Sequence, residues 1–287
     1  MDIDQLIESL EFRFKASGVD NARRVTEELL ASVFQCKPLE IYTGAAAGVV
    51  TPTQQFEVIR KVEPLAKRIE NGEPLQYVIG STEFWGLEIQ CDSRALIPRP
   101  ETELLVEEVL GCRIMTDKRP ATVVDVGTGT GCIAITLAKQ RPDAAFKAVD
   151  LSADALELAQ KNAAVHNINN ILWMQNNLLD RFAPASADVI VANLPYISSR
   201  DWRSLSKAVR EYEPKIALDA GASGMELIED LALQARSVLV PDGMLFLEFG
   251  YDQGKAVFDC LDHLGYVNIQ IKHDLAGLDR IAVATNP

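Results

Sequence analysis

The sequence predicts a doubly wound α/β domain with a mainly parallel sheet, preceded by a small helical domain. From residue 121 onward, apolar runs typical of strands alternate with helical segments, as they do in parallel sheets. Residues 4–66 show instead the three- and four-residue spacing of apolar side chains that is typical of helices. The chain of 287 residues is long enough for two domains of unequal size.

The composition is typical of a globular protein with a large core, since 48% of the residues are hydrophobic and 24% are charged. No apolar run approaches the roughly 20 residues that span a bilayer, so no membrane segment is expected. The first residues, MDIDQLIESLEFRF, carry acids where an export signal carries lysines. We therefore expect a cytoplasmic protein.

Charge and cysteine content narrow the possible partners. The chain has 28 basic and 41 acidic residues, a net charge of −13 that repels nucleic acid phosphates. Direct nucleic acid binding is therefore not expected, and small-molecule or protein substrates are favoured. The five cysteines are scattered singly and the three histidines lack a metal-binding spacing, so we expect neither a disulfide framework nor a bound metal.

The N-terminal part is predicted to be a helical domain that comprises residues 1–75. Its apolar residues recur at helical spacing at Ile7, Leu10, Phe14, Val25, Leu29, Leu30 and Val33. Pro52 suits the first turn of a further helix, and Asn71-Gly72 suits its end.

Residues 76–97 are predicted to form a β-hairpin that joins the two domains. Polar residues alternate there with aromatic and β-branched ones around Gly80 and Gly86. An irregular linker is the alternative. The second domain, residues 98–287, then opens with a helix whose first turn can accommodate Pro100.

Seven strands are predicted in the C-terminal domain: TVVDV, AFKAV, ILWMQ, DVIVAN, MLFLEF, YVNIQI and RIAVAT. Helical segments separate most of the early strands, which predicts parallel pairing with right-handed crossovers. The last two strands are too close in sequence for a crossover helix, so we expect an antiparallel pair at or near one edge. Ligands of such sheets bind beyond the carboxyl ends of the parallel strands.

A glycine-rich loop, Gly127-Thr128-Gly129-Thr130-Gly131, follows the first strand of this domain. Glycine permits a sharp turn and lets a ligand approach the backbone. The spacing is G-x-G-x-G and not the G-x-G-x-x-G of dinucleotide-binding loops. It therefore disfavours NAD and favours S-adenosylmethionine, whose amino-acid portion would lie along the loop. A loop that only packs a strand against a helix is the alternative.

The next two loops offer groups for the rest of such a cofactor. Asp150 ends the second strand, roughly 20 residues after the glycines, where a carboxylate can bind two ribose hydroxyls. An acid there also suits a helix start, because Ser152 is a good N-cap residue. Asn177 could bind the adenine edge and Leu178 could cover its face, although a plain turn explains the same residues.

The fourth strand ends in Asn193-Leu194-Pro195-Tyr196, which resembles the N-P-P-Y motif of methyltransferases that modify planar nitrogen. The segments LIPRPETELLVEEVL, DVGTGTGCIAI, EPKIALDAGASGMELIEDL and LFLEFGYDQG resemble the release factor glutamine methyltransferase family. The resemblance extends over nearly the whole chain. It implies a Rossmann-like S-adenosylmethionine-dependent methyltransferase sheet behind the helical domain.

The resemblance also implies a reaction and a partner. A methyl group would pass from S-adenosylmethionine to the side-chain nitrogen of the glutamine in the Gly-Gly-Gln motif of class I peptide-chain release factors, with S-adenosylhomocysteine as product. The N-terminal helices would recognise that protein substrate. The alternatives are an adenine-specific nucleic acid methyltransferase and a cofactor-binding homologue that has lost its activity.

The motif residues have separate expected roles. The side-chain oxygen of Asn193 and the backbone carbonyl of Leu194 would accept the two N–H groups of the substrate amide, and Asn193 would also border the cofactor. Pro195 would keep Leu194 extended, and Tyr196 would stack on the amide. Leu194 replaces the family's first proline, which removes rigidity at φ while keeping the backbone acceptor. Asn177 stands where the family more often has aspartate, so weaker cofactor binding is expected.

Overall fold

The computed structural model describes residues 3–43, 52–117 and 120–287. The predicted helical stretch also crosses residues 44–51, and the predicted lack of an export signal involves residues 1–2. Both of these ranges lie outside the described residues. The chain divides into two compact units, Met1–Ser81 with Ser206–Tyr212, and Thr82–Leu205 with Glu213–Pro287.

The first unit is helical, as predicted. Its first five helices are α1 Ile3–Ala16, α2 Ala22–Phe34, α3 Glu40–Thr43, α4 Pro52–Glu70 and α5 Leu75–Ile79. The predicted apolar positions supply much of its core, because Ile7, Leu10, Phe14, Leu29 and Leu30 are buried together. Val25 and Val33 pack against this core while partly buried.

The predicted ends of α4 are confirmed. The helix begins at Pro52 and stops before Asn71-Gly72. Gly72 has a φ of +96° and its N–H donates to the carbonyl of Ile69, while the N–H of Glu73 donates to that of Arg68. This is the hydrogen-bonding pattern with which a left-handed glycine closes a helix.

The predicted hairpin is confirmed for part of its range and wrong for the rest. Strands β1 Ser81–Phe84 and β2 Leu87–Gln90 pair around Trp85-Gly86, whose positive φ values suit a two-residue hairpin turn. Residues 76–79, however, belong to α5, which buries Leu75, Tyr77 and Val78 and ends at left-handed Gly80. So short an apolar run carries no period that separates a strand from a helix.

The second unit contains a seven-stranded sheet of order β5-β4-β3-β6-β7-β9-β8. Its strands are β3 Thr122–Val126, β4 Ala145–Asp150, β5 Ile171–Gln175, β6 Ala187–Asn193, β7 Leu239–Glu248, β8 Val267–His273 and β9 Asp279–Thr285. The pairs formed by β3 to β7 are parallel, whereas β9 runs antiparallel to β7 and β8. The mainly parallel sheet and its antiparallel edge pair are therefore confirmed.

The remaining helices are α6 Pro100–Gly111, α7 Arg113–Thr116, α8 Cys132–Gln140, α9 Ala153–Val165, α10 Lys207–Tyr212, α11 Glu226–Val238 and α12 Gly254–His263. Of these, α10 belongs to the first unit. No helix within the described ranges is both long and apolar enough to cross a membrane.

Helices cover both faces of the sheet, so its central strands are apolar on both sides. In β3, Val123 packs in a core cluster with residues of α6 and α8, while Val124 packs in a second cluster with residues of α11 and α12. Phe246 and Leu247 of β7 divide between the two clusters in the same way. Because β3, β4, β5 and β6 pair in parallel, the loops that follow them share one edge of the sheet.

Candidate active site

A cavity of about 330 Å³ lies at the carboxyl ends of these parallel strands. Its volume is within the range of roughly 300–1,000 Å³ that is common for small-molecule sites. Most of the predicted site residues line it: Gly127, Thr128, Gly129, Thr130, Asp150, Asn177, Leu178, Asn193, Leu194 and Pro195. Gly131 and Tyr196 are not among its lining residues.

The glycine loop is folded tightly over the end of β3. Gly127, Gly129 and Gly131 have φ values of +73°, +55° and +82°, in the left-handed region that favours glycine. The N–H groups of Gly127 and Thr128 donate to the carbonyl of Val149, at 2.9 and 3.0 Å, and so tie the loop to β4. A Cβ on Gly127 would lie 2.8 Å from Cδ2 of Leu194, so this glycine permits close contact between the first and fourth loops.

Gly131 packs the end of the glycine loop against α8 and α9. A Cβ there would lie 3.0 Å from both Cβ of Ala159 and Cδ1 of Ile135. The sequence left open that the glycines only pack the loop against a helix. At Gly131, packing is the role that the structure shows.

Replacing Gly131 by alanine should lower the free energy of unfolding by about 2–4 kcal/mol, because it adds left-handed strain to crowding. Gly111, at the end of α6, is the matched control, since it has ordinary φ and a Cβ added there would meet nothing within 4 Å. Gly111→Ala should instead stabilise the fold by about 0.5–1 kcal/mol. Urea unfolding of both variants is the measurement, and equal effects would contradict the packing role.

Asp125 anchors the glycine loop from inside the sheet. Its Oδ2 accepts hydrogen bonds from the Thr128 hydroxyl at 2.6 Å and from the N–H of Ala134 at 3.2 Å. Burial raises the pKa of Asp125 to about 7. This residue was not among the predicted site residues, although an acid inside the apolar run TVVDV was an available signal.

Asp150 connects the loops after β3 and β4. Its Oδ2 accepts a hydrogen bond from the N–H of Gly129 and its Oδ1 accepts one from the N–H of Ser152, both at 2.9 Å. Burial raises the pKa of Asp150, and these backbone hydrogen bonds oppose that rise. Ser152 also caps α9, because its hydroxyl accepts from the N–H of Ala155. Asp150 itself lines the cavity.

The loop after β5 is held by Asn176, which was not predicted from the sequence. Its Nδ2 donates to the carbonyl of Leu178 at 3.0 Å, and its N–H donates to the carbonyl of Asp150. Asn177 is exposed and contacts Asp180 through a long hydrogen bond of 3.4 Å, while Leu178 is buried. Both side chains expected to contact adenine therefore border the cavity, one polar and accessible, the other apolar.

Asn193 ends β6 and borders the cavity. Its Nδ2 donates a hydrogen bond to Oγ1 of Thr102, a residue of α6, at 3.0 Å. Leu194 is buried in the second core cluster and also lines the cavity, as does Pro195. The fourth loop thus meets the glycine loop at the predicted edge of the sheet.

Tyr196 does not line the cavity, unlike Asn193, Leu194 and Pro195. Its ring packs against the core cluster that contains Leu194. Burial raises the pKa of the Tyr196 phenol to about 12, which keeps it protonated at neutral pH. Its stacking on a substrate amide stays a prediction.

Gln253 holds the backbone of the motif and was not predicted from the sequence. Its Nε2 donates to the carbonyl of Tyr196 at 2.9 Å and to that of Gly224 at 3.2 Å, while its Oε1 accepts from the N–H of Gly250. A Cβ on Gly224 would lie 2.6 Å from the carbonyl oxygen of Tyr196. Gln253 can therefore bridge the two carbonyls only because Gly224, which has no side chain, lets the Tyr196 carbonyl come close.

The segment before α6 forms another wall of the cavity, which residues 94–99 line. Glu213, whose side chain is 1% exposed, pairs with the guanidinium of Arg99 and accepts a hydrogen bond from the N–H of Ile97. No catalytic role was predicted for Arg99. In the structure Arg99 fixes this wall by its contact with Glu213.

The structure describes the five cysteines as free thiols, of which Cys91, Cys112 and Cys132 are buried. Among residues 3–43, 52–117 and 120–287, no group of three or more His, Cys, Asp or Glu side chains is placed to hold a metal ion.

Two family models match the chain: "PrmC N-terminal domain" over residues 5–80 and "Methyltransferase small domain" over residues 102–211. The release factor glutamine methyltransferase of Neisseria gonorrhoeae is 42% identical over 229 residues, covering 79% of this chain and 82% of the relative. The one from Xylella fastidiosa is 36% identical over 274 residues, covering 95% and 96%. The chain belongs to the release factor glutamine methyltransferase family.

Membership of the release factor glutamine methyltransferase family confirms the predicted enzyme class, an S-adenosylmethionine-dependent protein-glutamine methyltransferase. The predicted fold agrees with a methyltransferase structure from Pyrococcus furiosus, which has a TM-score of 0.51 at 16% identity and covers 79% of this chain and 98% of that one.

The cavity fits the predicted cofactor. Its glycine loop leaves the backbone open to the amino-acid portion of S-adenosylmethionine. The carboxylate of Asp150 at the end of β4 suits the ribose hydroxyls, and buried Leu178 beside the amides of Asn176 and Asn177 suits adenine.

Proposed function

We propose that this chain methylates the side-chain nitrogen of the glutamine in the Gly-Gly-Gln motif of class I peptide-chain release factors. The relatives named above are release factor glutamine methyltransferases. The observation that most strongly supports the proposal is that Asn193, Leu194 and Pro195 border the same cavity as the glycine loop and Asp150. Amide-binding and cofactor-binding groups would thus meet in one cavity.

In this proposal the residues from Gly127 to Thr130 hold the amino-acid end of the cofactor, Gly131 supports that loop by packing, and Asp150 holds the ribose hydroxyls. Asn177 and Leu178 receive the adenine. When bound, S-adenosylmethionine supplies a methyl group that leaves the sulfur without its bonding electrons, so that S-adenosylhomocysteine and one proton from the amide are the other products.

The substrate amide needs orientation because its nitrogen lone pair is delocalised into the carbonyl and is a weak nucleophile. Asn193 uses its Nδ2 in the hydrogen bond to Thr102, which leaves Oδ1 as the atom that we assign to a substrate N–H. The Leu194 carbonyl would accept the second N–H. Holding a reacting group in this way can lower a barrier by about 7–11 kcal/mol in favourable cases.

The two departures from the family pattern are compatible with this scheme. At Leu194 the proposed acceptor is a backbone carbonyl, and Pro195 restricts Leu194 to extended conformations. The Leu194 side chain is 5% exposed and fills the space beside Gly127. Asn177 offers adenine a neutral hydrogen bond, which is weaker than the charge-assisted bond of an aspartate.

Peptide mass spectrometry of a purified class I release factor tests the proposal. After incubation with this protein and S-adenosylmethionine, the Gly-Gly-Gln glutamine should gain one methyl group. A release factor whose motif glutamine is replaced by alanine is the control. An unmodified glutamine in the presence of bound cofactor would refute the proposed substrate.

The first unit is the proposed recognition domain for the folded release factor. On α4, Phe56 is 67% exposed and Ile59 is 38% exposed, and both line a shallow groove. Neighbouring exposed apolar side chains of this kind are common where a protein partner binds. The groove is also lined by Arg60, Glu63 and Lys67, which offer charges of both signs at its rim.

Replacing Phe56 and Ile59 together by serine should raise KM for the intact release factor by roughly tenfold, because an anchoring apolar contact contributes about 1–3 kcal/mol. The rate on a short Gly-Gly-Gln peptide should not change. Leu275→Ser is the matched control, since Leu275 is 97% exposed in the other unit. Equal losses on protein and peptide would contradict a recognition role for this groove.

A further inference from the structure

Glu248 is a buried acid beside Asn193 that the proposed function has not used. It ends β7, which pairs with β6 so that Glu248 stands opposite Asn193. Glu248 is 2% exposed, and the side chains of Thr102 and Asn193 lie close enough to its carboxyl group to lower its pKa against the effect of burial. Its Oε2 has no hydrogen-bond partner among the residues that the structure describes.

Such an acid is costly as a purely structural residue. Leaving a buried polar oxygen without a partner costs about 1–3 kcal/mol. The neighbours Leu247 and Phe249 are buried apolar side chains, so this part of the sheet accommodates hydrocarbon. The presence of a carboxyl group here is therefore better explained by an effect on its neighbours, Thr102 and Asn193.

The contact between Thr102 and Asn193 does not by itself determine which way the Asn193 amide faces. A threonine hydroxyl can donate or accept, and an asparagine amide can present either its oxygen or its nitrogen. If the hydroxyl of Thr102 donated to Oδ1 of Asn193, the nitrogen would face the cavity. That orientation would present a donor to a substrate N–H and would repel it.

An ionised carboxylate removes this ambiguity, because it only accepts hydrogen bonds. The hydroxyl proton of Thr102 would then be directed to Glu248, which leaves Oγ1 to accept from Nδ2 of Asn193. That second hydrogen bond is the one that the structure shows. We propose that Glu248 is a positioning residue that acts on Asn193, both directly and through Thr102, to keep Oδ1 of Asn193 facing the substrate amide. This inference rests on the proposed function and adds a determinant of its geometry.

The charge of Glu248 depends on the groups around it. Burial raises the pKa of Glu248 to about 7, and Glu101 of α6 raises it further, while Arg280 of β9 lowers it. The charge of Glu248 in turn contributes to the raised pKa of the Tyr196 phenol. A protonated Glu248 could donate to Thr102 and so reverse the chain of hydrogen bonds. The methylation rate should therefore fall as the pH drops below about 7.

The test compares Glu248→Gln, Thr102→Val and the double variant in the full chain. Each single variant should lower kcat roughly 10- to 100-fold, the loss expected when a reacting group is misplaced, with less than about twofold change in KM and cofactor Kd. The double variant should lose little more than the worse single one, since both changes act on the orientation of the same Asn193 amide. Thr102→Ser, which keeps the hydroxyl, should recover most of the rate.

The pH profile separates positioning from a structural role. In the wild type, kcat should fall below about pH 7, and in Glu248→Gln this dependence should be absent. Asp259→Asn, an exposed acid paired with Lys255, is the control for the loss of one charge. Additive losses in the double variant, or a pH profile that Glu248→Gln leaves unchanged, would overturn the inference.

A second measurement does not depend on the substrate. In protein with ¹⁵N-labelled asparagine, the Asn193 side-chain NH₂ signal should be protected from exchange above about pH 7 and lose protection below it. Glu248→Gln should lack the transition. If the wild type fails to methylate the release factor but shows this transition, the proposed function fails and the positioning role of Glu248 survives. An NH₂ signal that does not respond to pH or to the substitution overturns the positioning role.

Discussion

Replacing Asn193 by alanine should nearly abolish methyl transfer and leave S-adenosylmethionine affinity almost unchanged. The substitution removes the oxygen that we assign to a substrate N–H. Loss of one preorganised hydrogen-bonding group at a reacting centre typically lowers kcat by about 10²–10³-fold. The cofactor is assigned mainly to the glycine loop, Asp150 and the loop after β5, which the substitution leaves in place.

Single-turnover methylation and equilibrium cofactor binding measure the two quantities separately. Gln270→Ala is the matched control, because it removes an exposed amide from the edge strand β8. Thermal unfolding of both variants checks that the fold is intact. If Asn193→Ala keeps its turnover, the amide-binding role of Asn193 is wrong, and if it loses cofactor affinity in parallel with kcat, Asn193 acts chiefly on the cofactor.

Replacing Asp150 by alanine should have its largest effect on cofactor affinity. Its carboxylate would bind the ribose hydroxyls and already accepts the N–H groups of Gly129 and Ser152. Each charge-assisted hydrogen bond contributes about 1.5–3 kcal/mol, so losing the ribose contacts should raise the cofactor Kd roughly 10²-fold or more. Asp150→Asn keeps one acceptor oxygen without the charge and should lie between the wild type and Asp150→Ala.

Calorimetric titration with S-adenosylmethionine and with S-adenosylhomocysteine measures this effect without turnover. Asp154→Asn, an exposed acid in the first turn of α9, controls for a lost negative charge nearby. Because Asp150 also holds Gly129, a moderate loss of stability in the cofactor-free protein is expected. An unchanged Kd in Asp150→Ala would contradict the assignment of the ribose to Asp150.

Much of the fold could be predicted because its signals are local. The strand TVVDV is apolar on both faces, as a central parallel strand must be, and it becomes β3 between β4 and β6. The short separation of YVNIQI from RIAVAT predicted the antiparallel pair β8 and β9. By contrast, residues 76–79, which belong to the helix Leu75–Ile79, were mistaken for part of a hairpin. The association of Ser206–Tyr212 with the first unit had no local signal.

The residues of the candidate site likewise fall into those with a local sequence signal and those without one. The loops of Gly127–Gly131, Asp150, Asn177 and Asn193 were predicted because each directly follows a strand, and strand ends of a parallel sheet share one edge. Thr102, Glu248 and Gln253 were not predicted. Thr102 lies 91 residues from Asn193, and Gln253 lies 57 residues from Tyr196. Only the pairing of β6 with β7 and the packing of α6 against β7 bring such distant residues together.

The sequence by itself determined which residues turn sharply, which faces are apolar and which loops carry polar groups, because these properties depend on side-chain chemistry and the backbone freedom of single residues. The tertiary structure alone decided the partners of those groups. The register that sets Glu248 opposite Asn193, and the position of α6 that brings Thr102 to the same amide, follow from how the strands and helices pack. Packing is a property of the whole core, so no local pattern of residues contains it.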